Sequence, residues 1–286
     1  MNNVNNLEII QCPCCPKAQS KLWADEGRGT QYRTCCACGT VFASPRSARE
    51  TLLPPFKESW GKKTALRIAA MRQQALERIA ATIQAYKPAG RLLDCGCSSG
   101  AFFNNFDKAQ WECQGVELSP TAAEYAAEST GAIVHTGTLI SAKYQANYFD
   151  VVTIIDAFYY FDDPLEQLQE AARVLKRDGV LAIEIPGGTY SRARSRGPMC
   201  LLLNRKWYRM ASDSNYLFIY SAKGFKHLVQ RAGFRLLAFD VMPSPQTLKW
   251  TDILNKSHYT LLRKLVRHWP QLVDCSPKVL WIFQKS

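Results

Sequence analysis

Between residues 91 and 185 short apolar runs alternate with segments of helical period, and this alternation constrains the fold more than any other feature of the chain. Strands are expected at 91–95, 112–117, 132–136, 149–155 and 180–185, with helices from about 101, over 120–129 and over 164–176 between them. Consecutive strands that each need a helical return run parallel, so the order predicts an α/β fold on one parallel sheet. A helix over 64–86 leads in and is stopped by Pro88-Ala89-Gly90. A helix over 221–232 stopped by Gly233, a strand over 234–241, a helical segment over 252–268 and a last strand over 279–284 follow. The stretch 186–220 is long, basic and aromatic, which suits an excursion over the rim of a site.

The first strand runs directly into Asp94-Cys95-Gly96-Cys97-Ser98-Ser99-Gly100, an acid followed by a glycine-bearing turn. Strand, glycine turn and helix bring backbone N–H groups close to a ligand, although this spacing is not the dinucleotide fingerprint. The second strand ends on another acid, Glu117, within Gly115-Val116-Glu117-Leu118-Ser119. Ligands of open α/β sheets bind beyond the carboxyl ends of the strands, so the two acids are expected side by side, Glu117 placed to grip two ribose hydroxyls.

With 286 residues and 47% hydrophobic content the chain is long enough for one α/β domain plus a small appendage. No run of eighteen apolar residues occurs and the start has no signal-peptide pattern, so a soluble cytoplasmic protein is expected. The net charge of +12 favours acidic partners without choosing between phosphorylated metabolites, anionic lipid and nucleic acid, or simply gives solvated basic faces. Basic residues are densest at Arg192–Arg209 and Lys256–His268. In the second, Leu261, Leu262, Leu265, Val266 and Trp269 form an apolar stripe that fits packing on the sheet or, for peripheral membrane contact over 256–269, an interfacial helix. The aromatic set Phe158, Tyr159, Tyr160, Trp207, Tyr208 and Tyr216 lines a substrate pocket or belongs to the core.

Six of the eleven cysteines fall between Cys12 and Cys38. Two Cys-x2-Cys pairs, Cys12 with Cys15 and Cys35 with Cys38, are separated by nineteen residues, the spacing of paired knuckles around one tetrahedral Zn²⁺. Pro13, Pro16 and Gly39 supply the turns, and Cys14 and Cys36 are adjacent spares; redox pairs or a ribbon that has lost its metal are the other readings. Four protein ligands close the site, so such a zinc is structural. The division expected is a zinc ribbon over 1–45, a linker over 46–63 containing Leu53-Pro54-Pro55, and a catalytic domain over 64–286.

Leu92 to Gly100, Gly115 to Ser119, Phe149 to Pro164, Val174 to Leu181 and Ser221 to Phe234 together resemble class I S-adenosylmethionine-dependent methyltransferases, particularly the group that includes the ubiquinone-biosynthesis O-methyltransferases. The likeness covers about 64–286, and zinc ribbons precede such domains in some bacterial enzymes that methylate sugars or other secondary-metabolite and glycan precursors. It implies a seven-stranded Rossmann-like sheet with an antiparallel last strand. It also implies that Asp94, Gly96, Cys97 and Gly100 surround the methionine part of S-adenosylmethionine, with Glu117 on the ribose and Leu118 on adenine. Gly137, Thr138 and Leu139 fall at the family's adenine contacts, without its frequent acid, and Asp156 and Ala157 at the methyl end. Ser98 replaces the middle glycine of many relatives, and Tyr160 stands where numerous relatives carry histidine. Tyr160 is thus the candidate to position the acceptor or, with a lowered pKa, to act as base. His135, His227, His258 and His268 carry no recognisable catalytic motif.

The function expected from the resemblance is methyl transfer to a small-molecule or carrier-linked acceptor, oxygen favoured. The alternatives are RNA methylation and a non-catalytic nucleic-acid-binding module. Against nucleic acid, the ribbon is not conspicuously basic and no N-P-P-Y-type motif follows the fourth strand.

Overall fold

A computed structural model describes residues 7–25, 30–47, 62–196, 216–243 and 249–286. Most of the linker expected at 46–63, Trp207, Tyr208 and residues 197–215 of the rim excursion lie outside the described residues, as does the side chain of His258.

The chain opens with β1 (Leu7–Glu8), β2 (Ser20–Asp25), β3 (Gln31–Cys35), β4 (Val41–Ala43) and β5 (Arg46–Ser47). β1 pairs with β5, while β2, β3 and β4 form an antiparallel meander. Next come α1 (Lys62–Tyr86), β6 (Gly90–Cys95), β7 (Trp111–Glu117), α2 (Pro120–Thr130), β8 (Ile133–Thr136), β9 (Phe149–Ile155), α3 (Pro164–Val174), β10 (Leu175–Ile185) and α4 (Gly188–Arg196). They are followed by β11 (Phe218–Ile219), α5 (Ala222–Arg231), β12 (Phe234–Val241), α6 (Lys249–His268) and β13 (Val279–Lys285).

The main sheet has seven strands in the order β12-β13-β10-β9-β6-β7-β8, with β13 antiparallel to both of its neighbours, the architecture expected from the sequence. Its central strands are buried on both faces, which is why they read as continuous apolar runs. The period of two divides them: Leu93, Val152, Ile154, Leu181 and Ile183 join one core cluster, and Leu92, Val151, Val180 and Ala182 the other. The first cluster is covered by α3 and α5 together with Cys12, Cys38 and Phe42 of the cysteine-rich segment, the second by Leu76, Ile79 and Ile83 of α1.

Local signals set the boundaries. Ser119 caps α2 by accepting from Ala122 N–H, with Pro120 in the first turn and Gly131, at φ 73°, ending the helix. Asp163 caps α3 through the N–H groups of Leu165 and Glu166, the capping role that Asp163-Pro164 suggests.

Three expectations need adjusting. The helix expected from about 101 is a 3-10 turn, Ala101–Asn105. Ten residues after Gly100 must run back the length of the first strand, about 20 Å, which an α-helix rising about 1.5 Å per residue does not span. The Asp178-Gly179 turn is absorbed into β10 as an irregularity, the register shifting between Leu175 and Val180. The apolar stripe of α6 divides: Leu262 and Val266 are buried in the core, while Leu261 and Trp269 are exposed. Among the described residues no helix is long and apolar enough to cross a membrane.

The cysteine-rich segment does not complete its own sheet. β11, two residues just before α5, pairs antiparallel with β4 and gives the order β11-β4-β3-β2.

Candidate active site

The carboxyl ends of β6, β7 and β9 converge. After Asp94 the chain takes positive φ three times in five residues, at Gly96 (83°), Ser98 (53°) and Gly100 (72°). A Cβ on Gly96 would lie 2.9 Å from the Ala157 Cβ, and one on Gly100 3.0 Å from Thr130 Cγ2. Glycine at those two positions therefore answers both the left-handed backbone and the close approach of β9 and α2. Ser98 bears the same backbone with a side chain, at a cost of about 1–2 kcal/mol, and what holds it there is Glu117.

Glu117 is 4% exposed, and both of its oxygens accept backbone N–H groups: Oε2 from Ser98 at 2.9 Å and Oε1 from Ser119 at 2.9 Å. The acid ending the second strand thus ties the first turn to the second. Burial pushes its pKa up, and the N–H groups of Ser119, Ser98 and Leu118 oppose that shift. Each oxygen retains a lone pair for a further donor. Asp94, 3% exposed, accepts from the Thr153 hydroxyl at 2.6 Å. Burial pushes it up to about 7; the Thr153 bond opposes this and the charge of Glu117 reinforces it. Two buried acids with raised pKa values at the ends of adjacent strands suit a ligand that brings positive charge and hydroxyl donors.

Beyond Glu117, Gly137 N–H donates to the Glu117 carbonyl at 2.9 Å. Ser141 Oγ accepts from Thr138 N–H at 2.8 Å and contacts His135 Nε2 at 3.0 Å, locking the 137–141 loop. Leu139 is buried and Leu118 half-buried; Cys97 is buried with its sulfur against Gly115. The residues singled out from sequence at the ends of β6, β7 and β8 therefore lie together.

Asp156 ends β9 with φ 58° and stands in a network that the sequence did not announce. Its Oδ1 accepts from Lys278 Nζ and the Tyr159 hydroxyl, and Oδ2 pairs with Arg72 at 3.3 Å. Arg72, reaching from α1, also pairs with the fully buried Glu184 of β10. Burial acts to raise the Asp156 pKa, but Lys278 and Arg72 hold it well below the carboxylate range. The two cations and two acids neutralise one another, so Asp156 is a fixed ion rather than a proton acceptor. Burial and the neighbouring Asp156 charge push the Tyr159 hydroxyl up, which also disqualifies it as a base. Tyr160, half-buried, packs on Tyr159 at 4.6 Å between ring centres, and Tyr216 packs on both, at 4.2 and 5.5 Å. These rings form an aromatic wall beside Asp156.

The second candidate is the four-thiol cluster. The sulfurs of Cys12, Cys15, Cys35 and Cys38 lie within 4.8 Å of one another, and Cys12 and Cys38 are 3.8 Å apart. Tetrahedral zinc with bonds of about 2.3 Å separates its sulfurs by about 3.8 Å, so the donor set fits. Hydrogen bonds from Cys12 and Cys14 hold the Cys38 thiol far down, while burial and the charge of Cys38 push Cys15 up to about 11. Bringing all four to thiolate requires a cation. Cys14 is buried beside the Thr40 hydroxyl and Cys36 is exposed, both outside the cluster.

A family model described as a methyltransferase domain matches residues 67–238. Among curated proteins the chain is similar to the uncharacterized methyltransferase YcgJ of Bacillus subtilis (strain 168), at 34% identity over 95 residues, or 31% of this chain; it spans 38% of that relative's length. Among solved structures it is similar to a Thermotoga maritima S-adenosylmethionine-dependent methyltransferase described as a possible histamine N-methyltransferase. That match has a TM-score of 0.50 and 19% identity, covering 77% of this chain and 94% of the other. It is also similar to the Haloferax volcanii complex between the Trm112 methyltransferase activator and the putative methyltransferase, with TM-score 0.53, 17% identity and coverage of 80% and 95%. At these identities the structural likenesses speak for the fold.

Proposed function

The chain belongs to the methyltransferase-domain family, and from that premise we propose that it transfers the methyl group of S-adenosylmethionine to a small-molecule or carrier-linked acceptor. The observation that carries this reading is Glu117, whose carboxylate joins the first turn to the second while keeping lone pairs for two hydroxyls. When bound, S-adenosylmethionine supplies an electrophilic methyl on a sulfonium.

The chain's residues do the rest. Glu117 accepts the ribose hydroxyls. Asp94, Gly96, Cys97 and Gly100 surround the methionine part, where Asp94 answers an ammonium charge. Leu118, Gly137, Thr138 and Leu139 line the adenine side, and Asp156 and Ala157 the methyl end. Since Asp156 and Tyr159 are no bases, alignment and exclusion of water by the aromatic wall carry the chemistry, with Tyr160 positioning the acceptor. An oxygen of a sugar, glycan or secondary-metabolite precursor is the favoured acceptor atom, supported by the likeness of these motifs to the ubiquinone-biosynthesis O-methyltransferases. Cys12, Cys15, Cys35 and Cys38 hold a structural zinc, supported by the fit of their sulfurs. None of the ten cysteines among the described residues is in a disulfide, which suits a reducing cytoplasm.

Incubation with methyl-labelled S-adenosylmethionine and fractionated metabolites should label a small molecule or its carrier. Label found only in RNA would replace this acceptor class by nucleic acid.

A cheaper measurement concerns Asp94. With its pKa near 7 it is largely protonated at pH 6, and a cationic ligand needs it ionised. S-adenosylmethionine is expected to bind about tenfold more tightly at pH 8 than at pH 6, releasing close to one proton at pH 6. For folding the sign is opposite: a carboxyl raised from 3.8 to about 7 contributes stability at low pH that is lost as pH rises through that window. Calorimetry in buffers of different ionisation heat reads the proton release. Affinity that stays flat over this range, or a proton release that survives Asp94→Asn, would remove the assignment.

A further inference from the structure

The cysteine-rich segment is built into the aromatic wall. Tyr32, on β3 and almost fully buried, donates its hydroxyl to the Tyr216 carbonyl at 2.7 Å. The next residue, Leu217, accepts from Ala43 N–H at 3.0 Å and donates its own N–H to the Tyr159 carbonyl at 3.1 Å. A continuous path thus runs from β3 and β4 through residues 216–217 to the loop that carries Tyr159 and Tyr160. A second path leaves from Arg46, also buried, which pairs with Glu8 on its own side and with the carboxylate and carbonyl of Asp162 on the other.

The thiol cluster is tied to the same elements. Ser221, the cap of α5, donates its hydroxyl to the Cys38 carbonyl at 2.6 Å. A Cβ on Gly224 would lie 3.0 Å from the Cys38 sulfur, so the first turn of α5 rests on the second knuckle. His227 and Arg231 donate to the carbonyls of Cys14 and Pro13 at 2.9 and 2.8 Å. Four thiolates around one divalent cation carry two net negative charges, and a helix N-terminus with basic side chains is the surface that accommodates them. The bonds of Asp94 and Glu117 run instead within the far side of the sheet, to Thr153, Ser98 and Ser119.

We propose that the ribbon is a positioning unit for the acceptor side of the site: its metal fixes the knuckles, and Tyr32 and Arg46 carry that order to Tyr216, Tyr159 and Tyr160, leaving the cofactor cradle independent. Tyr32 and Arg46 are positioning residues, and the metal selects how the acceptor is held rather than whether the cofactor binds. The proposal rests on the methyltransferase reading above for what the wall faces.

The test uses the full chain loaded with zinc, stripped by chelation and then reloaded. Amide exchange by mass spectrometry is followed in the segments 157–163, 216–221 and 94–100, alongside calorimetry with S-adenosylhomocysteine. Stripping is expected to speed exchange in the first two segments by at least about tenfold, reversibly, while leaving the third unchanged. Because the stripped protein is open to a wider loss of fold, Tyr32→Phe provides a milder arm that keeps the ring and the zinc. It should speed exchange over 216–221 by about fivefold, the effect of one hydrogen bond, with S-adenosylhomocysteine affinity within about twofold of wild type. Unchanged exchange over 157–163 and 216–221 in both arms overturns the proposal, as does a protein that takes up no zinc. Equal acceleration of 94–100 with lost affinity overturns it too, by making the ribbon a general staple. Failure of the wild-type protein to bind S-adenosylhomocysteine at all is separate, and counts against the methyltransferase reading.

Discussion

Glu117→Ala is expected to weaken S-adenosylhomocysteine binding by at least about a hundredfold, the loss of two hydrogen bonds to a charged group at roughly 1.5–3 kcal/mol each. The substitution does two things at once. It takes away the acceptor proposed for both ribose hydroxyls, and it leaves the N–H of Ser98 without the oxygen that holds a non-glycine residue at φ 53°. Glu117→Gln separates these effects. One amide oxygen can serve Ser98 or Ser119, but the NH₂ then faces the other N–H, so only part of the affinity should return. Calorimetry gives the affinities and circular dichroism the fold. A Glu117→Ala protein that is folded and binds within about threefold of wild type would show that the acid at the end of β7 has no part in the cofactor site.

The residues that could be read from the sequence are those whose role is set by their place on one element. Asp94 and Glu117 close apolar strands, and in a parallel sheet consecutive strand ends fall side by side; β6 and β7 pair in register from Gly90 to Cys95. The four cysteines were legible because two Cys-x2-Cys pairs have the spacing of knuckles that bring four sulfurs together, and the four sulfurs do lie within 4.8 Å of one another. Arg72, Glu184 and Lys278 were not legible, since each sits inside an ordinary helix, strand or loop, and only tertiary structure gathers them at Asp156: Arg72 reaches over from α1, Glu184 comes on β10 beside β9, and Lys278 on the approach to β13 beside β10. β11 was missed for a related reason. Two residues have no period to detect, and what makes Phe218–Ile219 a strand is the open edge of β4, itself more than 170 residues earlier. Tyr32 carried no signal either: its functional content is a hydroxyl aimed at the carbonyl of Tyr216.

The buried network makes the other large prediction. Glu184 is fully buried, and its counter-charge among the described residues is Arg72, itself 7% exposed. Arg72→Met keeps most of the volume but strands that carboxylate and removes one of the two cations on Asp156, so the fold should lose about 3–5 kcal/mol. At roughly 2–4 °C per kcal/mol for a domain of this size, the midpoint should fall by about 10 °C. The double variant Arg72→Met with Glu184→Gln should recover most of that loss, because no uncompensated carboxylate is then left buried at position 184. Denaturant unfolding of the three proteins measures this. A single variant within about 1 kcal/mol of wild type, or a double variant no better than the single, would show that the pair is not what holds α1 to the strand ends. The consequence for function follows from Asp156. With Arg72 gone, two acids, Asp156 and Glu184, stand against one cation, Lys278, so a network that was neutral carries one net negative charge beside the proposed methyl end.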